Sequence, residues 1–175
     1  MSEPLSRIVR VDAILEEGQT VALEANAAER EALAAFYRLP SIEALSALLE
    51  LRRAGQGGIR VTGDVHALVT QICVISLEPF QANVNEEIDV RFAPRGLEDQ
   101  EARAHDTRGF AMADEDEPEP IVEGKIDVGA LAAEFFALGL DPYPRKPGAT
   151  FEFRLDQGEN LSPFAALARR GRKSE

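Results

Sequence analysis

The most reactive side chains in this sequence belong to one cysteine, Cys73, and two histidines, His66 and His105. A structural zinc site needs about four cysteine or histidine ligands close together. His66 and Cys73 are separated by an odd number of positions, so in a shared strand they would lie on opposite faces. We therefore expect no metal site, and nothing in the sequence indicates a cofactor.

Cys73 and His66 could instead act as a nucleophile and its base, which would make the protein a small Cys-dependent hydrolase or redox enzyme. Such a cysteine needs an accessible thiol with a lowered pKa. Ile72, Val74 and Ile75 surround Cys73, and an apolar setting raises the pKa of a thiol. We expect a protein that is not an enzyme, and the Cys-dependent enzyme stands as the alternative.

The charge of the chain restricts its partners. The 175 residues carry a formal net charge of −12, which argues against DNA or general nucleic-acid binding and favours a basic protein partner. No apolar run reaches the roughly 20 residues of a membrane helix, and the N-terminus lacks the layout of a signal peptide. With a single cysteine as well, the sequence predicts a cytoplasmic protein without a membrane partner.

Two basic clusters stand out against this acidic background. Arg145 and Lys146 lie beside Tyr143 in a segment interrupted by prolines, and a basic tail near the C-terminus contains Arg169, Arg170, Arg172 and Lys173. These residues could contact RNA phosphates locally. Equally, the tail could be solvated or could dock on the acidic segment described below.

The elements that position these residues centre on residues 71–80. We interpret them as the end of one strand, a break at Glu78-Pro79 and the start of the next strand, since proline lacks a backbone donor. Residues 59–76 alternate apolar and polar side chains up to His66, and both faces become apolar from Leu68 onward. This pattern predicts a long strand that ends buried on both sides, with a bend or bulge near Gly63.

Helix signals occur at three places. Asn26 and Glu29 form a capping-box pattern before residues 27–38. Ser41 and the apolar spacing that follows it predict a second helix, which ends near Gly55. Asp127 is a good N-cap for a third helix over residues 128–138.

Residues 95–120 contain nine acidic and three basic side chains and few that could pack in a core. We interpret this segment as a mobile acidic loop within one α+β domain spanning residues 1–168, followed by the basic tail at 169–175. The predicted fold is a curved, mostly antiparallel sheet, with closure into a barrel left open, two N-terminal helices and one C-terminal helix. The predicted core consists of Val9, Val11, Leu33, Phe36, Leu45, Leu48, Val61, Val69, Cys73, Ile88, Val90, Phe92, Ile126, Leu131 and Phe135.

Three stretches in series resemble the YceD-like family of large ribosomal RNA subunit accumulation proteins. They are residues 73–80, with Cys73 followed by Glu78, Pro79 and Phe80; residues 124–144, with Asp127 at a helix entry and Pro144 in the following loop; and residues 162–168, with Pro163 and Phe164. Many members carry Cys-x-x-Cys in the first stretch. Here Ser76 occupies the second position, so a metal or redox role for that pair is not available to this chain.

The resemblance implies a non-enzymatic factor that supports synthesis, processing or stability of large-subunit ribosomal RNA. It leaves two partners open. The protein could touch precursor ribosomal RNA through Arg145, Lys146 and the basic tail, or its acidic body and loop could escort a basic ribosomal protein. A purely structural partner of another cytoplasmic protein is a third possibility.

Overall fold

The computed structural model describes residues 4–94 and 118–151, and the architecture below refers to those residues. The strands and helices follow in chain order: β1 (Ile8–Arg10), β2 (Gln19–Glu24), α1 (Ala27–Tyr37), β3 (Ser41–Ala54), β4 (Gly58–Ile72), β5 (Pro79–Pro94), β6 (Glu119–Ile121), β7 (Lys125–Asp127) and α2 (Val128–Leu138). Short 3-10 turns lie at Val11–Ala13 and Gly55–Gly57. Most of the predicted acidic loop and the whole basic tail lie outside the described residues.

Five strands form one sheet in the order β2-β3-β4-β5-β6, and β1 pairs with β7 in a second, two-stranded sheet. Neighbouring strands are antiparallel except β5 and β6, which are parallel. The larger sheet is therefore mixed. Within the described part of the chain β2 and β6 are its two outer strands and do not pair, so the option of a closed barrel was wrong.

The prediction of a second N-terminal helix was also wrong, because Ser41–Ala54 is strand β3. Ile42, Leu45 and Leu49 fit helical spacing, but Leu45, Leu49 and Leu51 fit the period of two equally well. Pairing with β2 on one side and β4 on the other selects the strand. Instead of capping a helix, the hydroxyl of Ser41 donates a hydrogen bond to Glu43 Oε1.

The large sheet buries one face and exposes the other. On β4, Val61, Val65 and Val69 are fully buried, whereas the alternating positions Asp64 and His66 are exposed. Helix α1 packs against β3, and α2 packs against β4 and β5, so the core lies between the helices and one face. We call the opposite, exposed face the outer face; it includes Arg60, Asp64, His66, Asn85, Glu87 and Asp89.

Helix boundaries follow their capping residues. The capping box of Asn26 and Glu29 is present as predicted, and α2 spans the predicted residues. Asp127 accepts hydrogen bonds from the backbone N–H groups of Gly129 and Ala130, and also from Ser6 Oγ and Arg7 N. This one carboxylate therefore caps α2 and fixes the chain that enters β1. None of the described helices is long and apolar enough to span a membrane.

Three sequence-based assignments of burial were wrong. Leu48 is 57% exposed, because it lies on the outer face of a strand and not on the inner side of a helix. Phe36 is 52% exposed at the edge of α1, where its ring meets Tyr37 at a centroid distance of 5.0 Å. The end of β4 is buried on one side only, since Ile72 is 42% exposed.

The strand ladder keeps its register through Gly63, and the register shift lies instead at Ile42/Ala44 in β3. Gly63 has a φ of +154°, and a Cβ there would lie 2.0 Å from the carbonyl oxygen of Leu48. Of the predicted bend or bulge near Gly63, the bulge was therefore wrong. The glycine is needed because β3 approaches too closely for any side chain.

We expect Gly63→Ala to lower the free energy of unfolding by at least about 2 kcal/mol, because the ladder must open to admit the methyl group. Urea unfolding followed by circular dichroism measures this change. Gly55→Ala is the matched control, because its Cβ would meet no atom within 4 Å. Equal stability of the two variants would contradict the close-approach argument.

Candidate functional site: the Cys73 turn and the proline loop

Residues 73–78, which we call the Cys73 turn, connect β4 to β5. The backbone N–H of Cys73 donates to the carbonyl oxygen of Glu78, and Leu77 N–H donates to the carbonyl oxygen of Cys73, both at 2.9 Å. Leu77 has a φ of +58°, which lets the chain reverse within six residues. Pro79 begins β5, so the predicted break at Glu78-Pro79 is confirmed.

The thiol of Cys73 is buried inside this turn and is surrounded by hydrogen-bond donors. Its Sγ accepts from the backbone N–H groups of Ile75 and Ser76, each at 3.4 Å. The Ser76 side chain, the Ser76 amide and then the amides of Lys146 and Ile75 lower the pKa of the thiol to about 6, although burial opposes them. The expected rise in pKa was wrong, because aligned donors stabilise the thiolate more than the apolar neighbours disfavour it.

The segment 141–148, which we call the proline loop, is fastened to this turn. Val74 N–H donates to the carbonyl oxygen of Pro144 at 2.9 Å, and the buried Gln71 donates through Nε2 to the carbonyl oxygen of Asp141 at 3.2 Å. Lys146 Nζ lies 2.9 Å from Glu78 Oε2. Each partner shifts the pKa of the other away from neutrality, downward for Glu78 and upward for Lys146.

The joined turn and loop present an apolar surface with cations beside it. Leu77 is 75% exposed and Tyr143 is 71% exposed, and Val74 is also exposed. Arg145 and Lys146 are exposed on the same loop, although Lys146 is engaged by Glu78. Large exposed apolar side chains that occur together commonly mark a contact surface for another molecule.

The structure brings together only some of the residues predicted for a site. Cys73, Glu78, Pro144 and Lys146 meet at the turn, with Arg145 beside them. Phe80, Pro79 and Asp127 serve the fold: the first two lie in β5 opposite β4, and Asp127 caps α2. A larger group lies outside the described residues, namely Pro163, Phe164, Arg169, Arg170, Arg172 and Lys173.

Sequence reasoning missed Gln71, Val74 and Leu77 as parts of this site. Gln71 occupies the buried parity of β4 between Val69 and Cys73, and an amide at such a position signals a specific hydrogen-bond partner. No comparable signal marks Val74 or Leu77, since their exposure depends on where β4 ends.

The arrangement does not assemble a Cys-His pair. Cys73 is buried on the core side, whereas His66 is exposed on the outer face and its Nδ1 lies 2.7 Å from Asn85 Oδ1. Seven residue steps along the chain, the first six of them within β4, also place their Cα atoms about 23 Å apart at the usual rise per residue. Among the described residues no group of three or more histidine, cysteine, aspartate and glutamate side chains could hold a metal ion.

Comparison with protein families matches residues 61–168 to the model described as large ribosomal RNA subunit accumulation protein YceD. This match covers more than half of the chain. The chain belongs to the YceD family. The resemblance found in residues 73–80, 124–144 and 162–168 is thereby confirmed, and membership in the YceD family implies a role in ribosomal RNA accumulation and an involvement with the large ribosomal subunit.

Neither a curated protein nor a solved structure matches this chain. The matched region begins within β4 and includes the Cys73 turn, β5, α2 and the proline loop. The YceD family match therefore contains the whole candidate site, whereas β1, β2, α1 and β3 precede it.

The lowered pKa of Cys73 predicts a pH-dependent stability. Between a pH of about 6 and the ordinary thiol value of 9.0, the unfolded chain binds more protons than the folded chain. The free energy of unfolding should therefore rise with pH across this window and lose this contribution as the pH falls through about 6. Urea unfolding of the unmodified protein and of Cys73→Ser at several pH values measures this contribution. If the free energies of unfolding of the two proteins changed in parallel with pH, the prediction would be contradicted.

The ammonium group of Lys146 also favours the thiolate of Cys73 through its charge. We expect Lys146→Ala to raise the pKa of Cys73 above its value in the unmodified protein, measured from the ultraviolet absorbance of the thiolate. Arg145→Ala removes a neighbouring charge of the same sign and should leave the thiol titration unchanged. Stability should fall by less than about 1 kcal/mol in Lys146→Ala, because its ion pair with Glu78 is exposed.

Proposed function

We propose that this protein is a non-enzymatic cytoplasmic factor of ribosome biogenesis, which supports the synthesis, processing or stability of large-subunit ribosomal RNA. The observation that carries the proposal is the family match over residues 61–168. The Cys73 turn supports the non-enzymatic part, because its thiol is fully buried and lies far from the exposed imidazole of His66.

We propose further that the protein acts by binding a basic ribosomal protein. A net charge of −12 attracts a basic protein over a long range and repels a phosphate backbone. Of the two cations predicted to contact RNA in the proline loop, Lys146 is already paired with Glu78. The acidic composition of residues 95–120 adds to the attraction for a basic partner.

Crosslinking of the tagged protein in growing cells tests both levels of this proposal. RNA and protein partners are identified from the same purification, and the material is also sedimented with precursor ribosomal particles. We expect a basic ribosomal protein to be enriched. Changing the acidic residues of 95–120 to their amides should reduce that enrichment about tenfold or more, because the attraction depends on charge.

The matched variant changes Arg169, Arg170, Arg172 and Lys173 to glutamine and should leave the protein partner in place. If this variant instead abolishes an enrichment of large-subunit ribosomal RNA, direct RNA contact replaces the escort role. Enrichment of neither class, together with no sedimentation in particles, would contradict the proposed function as a whole.

A further inference from the structure

Strand β5 has one long edge without a neighbouring strand in the described parts of the chain. On one side it pairs with β4 over residues 79–92, from Ile72↔Pro79 to Ile59↔Phe92. On the other side β6 reaches only Phe92–Pro94. The backbone hydrogen bonds that the described loops and turns make do not reach residues 80–90. We call residues 79–90 the free edge, because no described strand pairs with them on that side; it is about 40 Å long at the usual rise per residue.

This edge has one of the features that commonly prevent an exposed strand from pairing with another chain. Proteins protect such edges with charged side chains, lysine above all, and with proline, bulges or very short strands. Between Pro79 and Pro94 the sequence contains no lysine and no proline, and the register with β4 runs without a bulge, but the strand carries Glu86, Glu87, Asp89 and Arg91. Three of these four charges are negative, so they deter an acidic segment or a second copy of β5 more than a basic segment that adds as a strand.

The side chains beside the edge determine which segment fits it. Asn83, Asn85 and Glu87 alternate as exposed residues on the outer face of β5. Asp64 lies directly opposite Glu87 on β4, and like charges in that position destabilise a sheet. The ion pair of Asp89 goes to Arg60, and the described ion pairs leave Asp64 and Glu87 without a cation. A cationic side chain laid along the edge would relieve this repulsion.

We propose that the free edge of β5 binds an extended, lysine- or arginine-rich segment of a partner protein as an additional strand. The proposal rests on the proposed function, since it assigns a surface and a binding mode to the basic partner. Backbone hydrogen bonds supply affinity without regard to sequence, and the carboxylates of Glu87 and Asp64 select positive charge. The same carboxylates would repel both RNA phosphates and the β5 edge of a second copy.

Synthetic peptides provide a direct test with the full-length protein. The first probe is a ten-residue peptide that alternates lysine with valine and threonine. The second has the same sequence with alternate backbone nitrogens methylated, which removes the donors needed for strand pairing. The third replaces lysine with glutamate. Fluorescence anisotropy should show binding of the first peptide and at least about tenfold weaker binding of the other two.

Amide hydrogen exchange measured by NMR distinguishes edge pairing from adhesion by charge alone. In an antiparallel strand alternate amides point toward each neighbour. Binding of the first peptide should therefore slow exchange about tenfold or more at every second amide of residues 80–90 and leave the intervening amides, bonded to β4, unchanged. Uniform slowing, or none, would overturn the proposal.

A charge-reversal pair supplies the matched variants. Glu87→Lys places a lysine beside the edge and should weaken binding of the first peptide about tenfold. Glu17→Lys makes the same change in net charge in the exposed turn before β2 and should have little effect. Urea unfolding of both variants shows whether each remains folded. If Glu87→Lys and Glu17→Lys weakened peptide binding equally, the peptide would be attracted by the net charge of the protein and not by the free edge.

Two other occupants of the free edge would make the proposal wrong. One is RNA, which would be shown if a single-stranded RNA oligonucleotide, and not the peptide, produced the alternating protection. The other is a second copy of the protein, which would be shown if light scattering detected a dimer that Glu87→Lys dissociates. If the first peptide does not bind but the protein still crosslinks to a ribosomal protein in cells, only the proposal for the free edge is wrong. If neither peptide binding nor crosslinking to a ribosomal component is observed, the proposed function is wrong as well.

Discussion

The restriction of burial to one face of β3, β4 and β5 is the constraint on which the rest of the structure depends. Because side chains alternate along a strand, a slip of one residue would move Val61, Val65 and Val69 from the core to water. Each such side chain contributes about 1.5–3 kcal/mol when it is fully buried. Strands β3, β4 and β5 can therefore pair in one register only. That register determines where β3 approaches Gly63 and where β4 ends.

The local signals in the sequence were sufficient for some elements and not for others. The alternation that begins at residue 59 identified β4, although the predicted strand of residues 59–76 runs past the end of β4 at Ile72. The capping residues Asn26 and Asp127 identified the starts of both described helices. Residues 41–54 carry a leucine pattern compatible with both periods. Only pairing with β2 and β4, which involves distant parts of the chain, decides between helix and strand.

In the candidate site, too, some features follow from the local sequence and others depend on contacts with distant parts of the chain. Proline at position 79 located the reversal of the chain, since its effect on the backbone is local. The chemistry of Cys73 could not be read from its apolar neighbours in sequence. It depends on the direction of the amides of Ile75 and Ser76 within the turn, and on the proline loop, which reaches the turn from beyond α2. Long-range docking of this kind leaves no periodic trace in a single sequence.

The parallel pairing of β5 with β6 has a consequence for how this protein can vary in length. Phe92 lies opposite Glu119 and Pro94 opposite Ile121, so the chain leaves the sheet and returns to it at nearly the same place. The register of β5 with β6 therefore does not depend on how many residues the sequence places between these anchor points. The number of those residues, and with it their negative charge, can differ while both anchor points keep their places in the sheet.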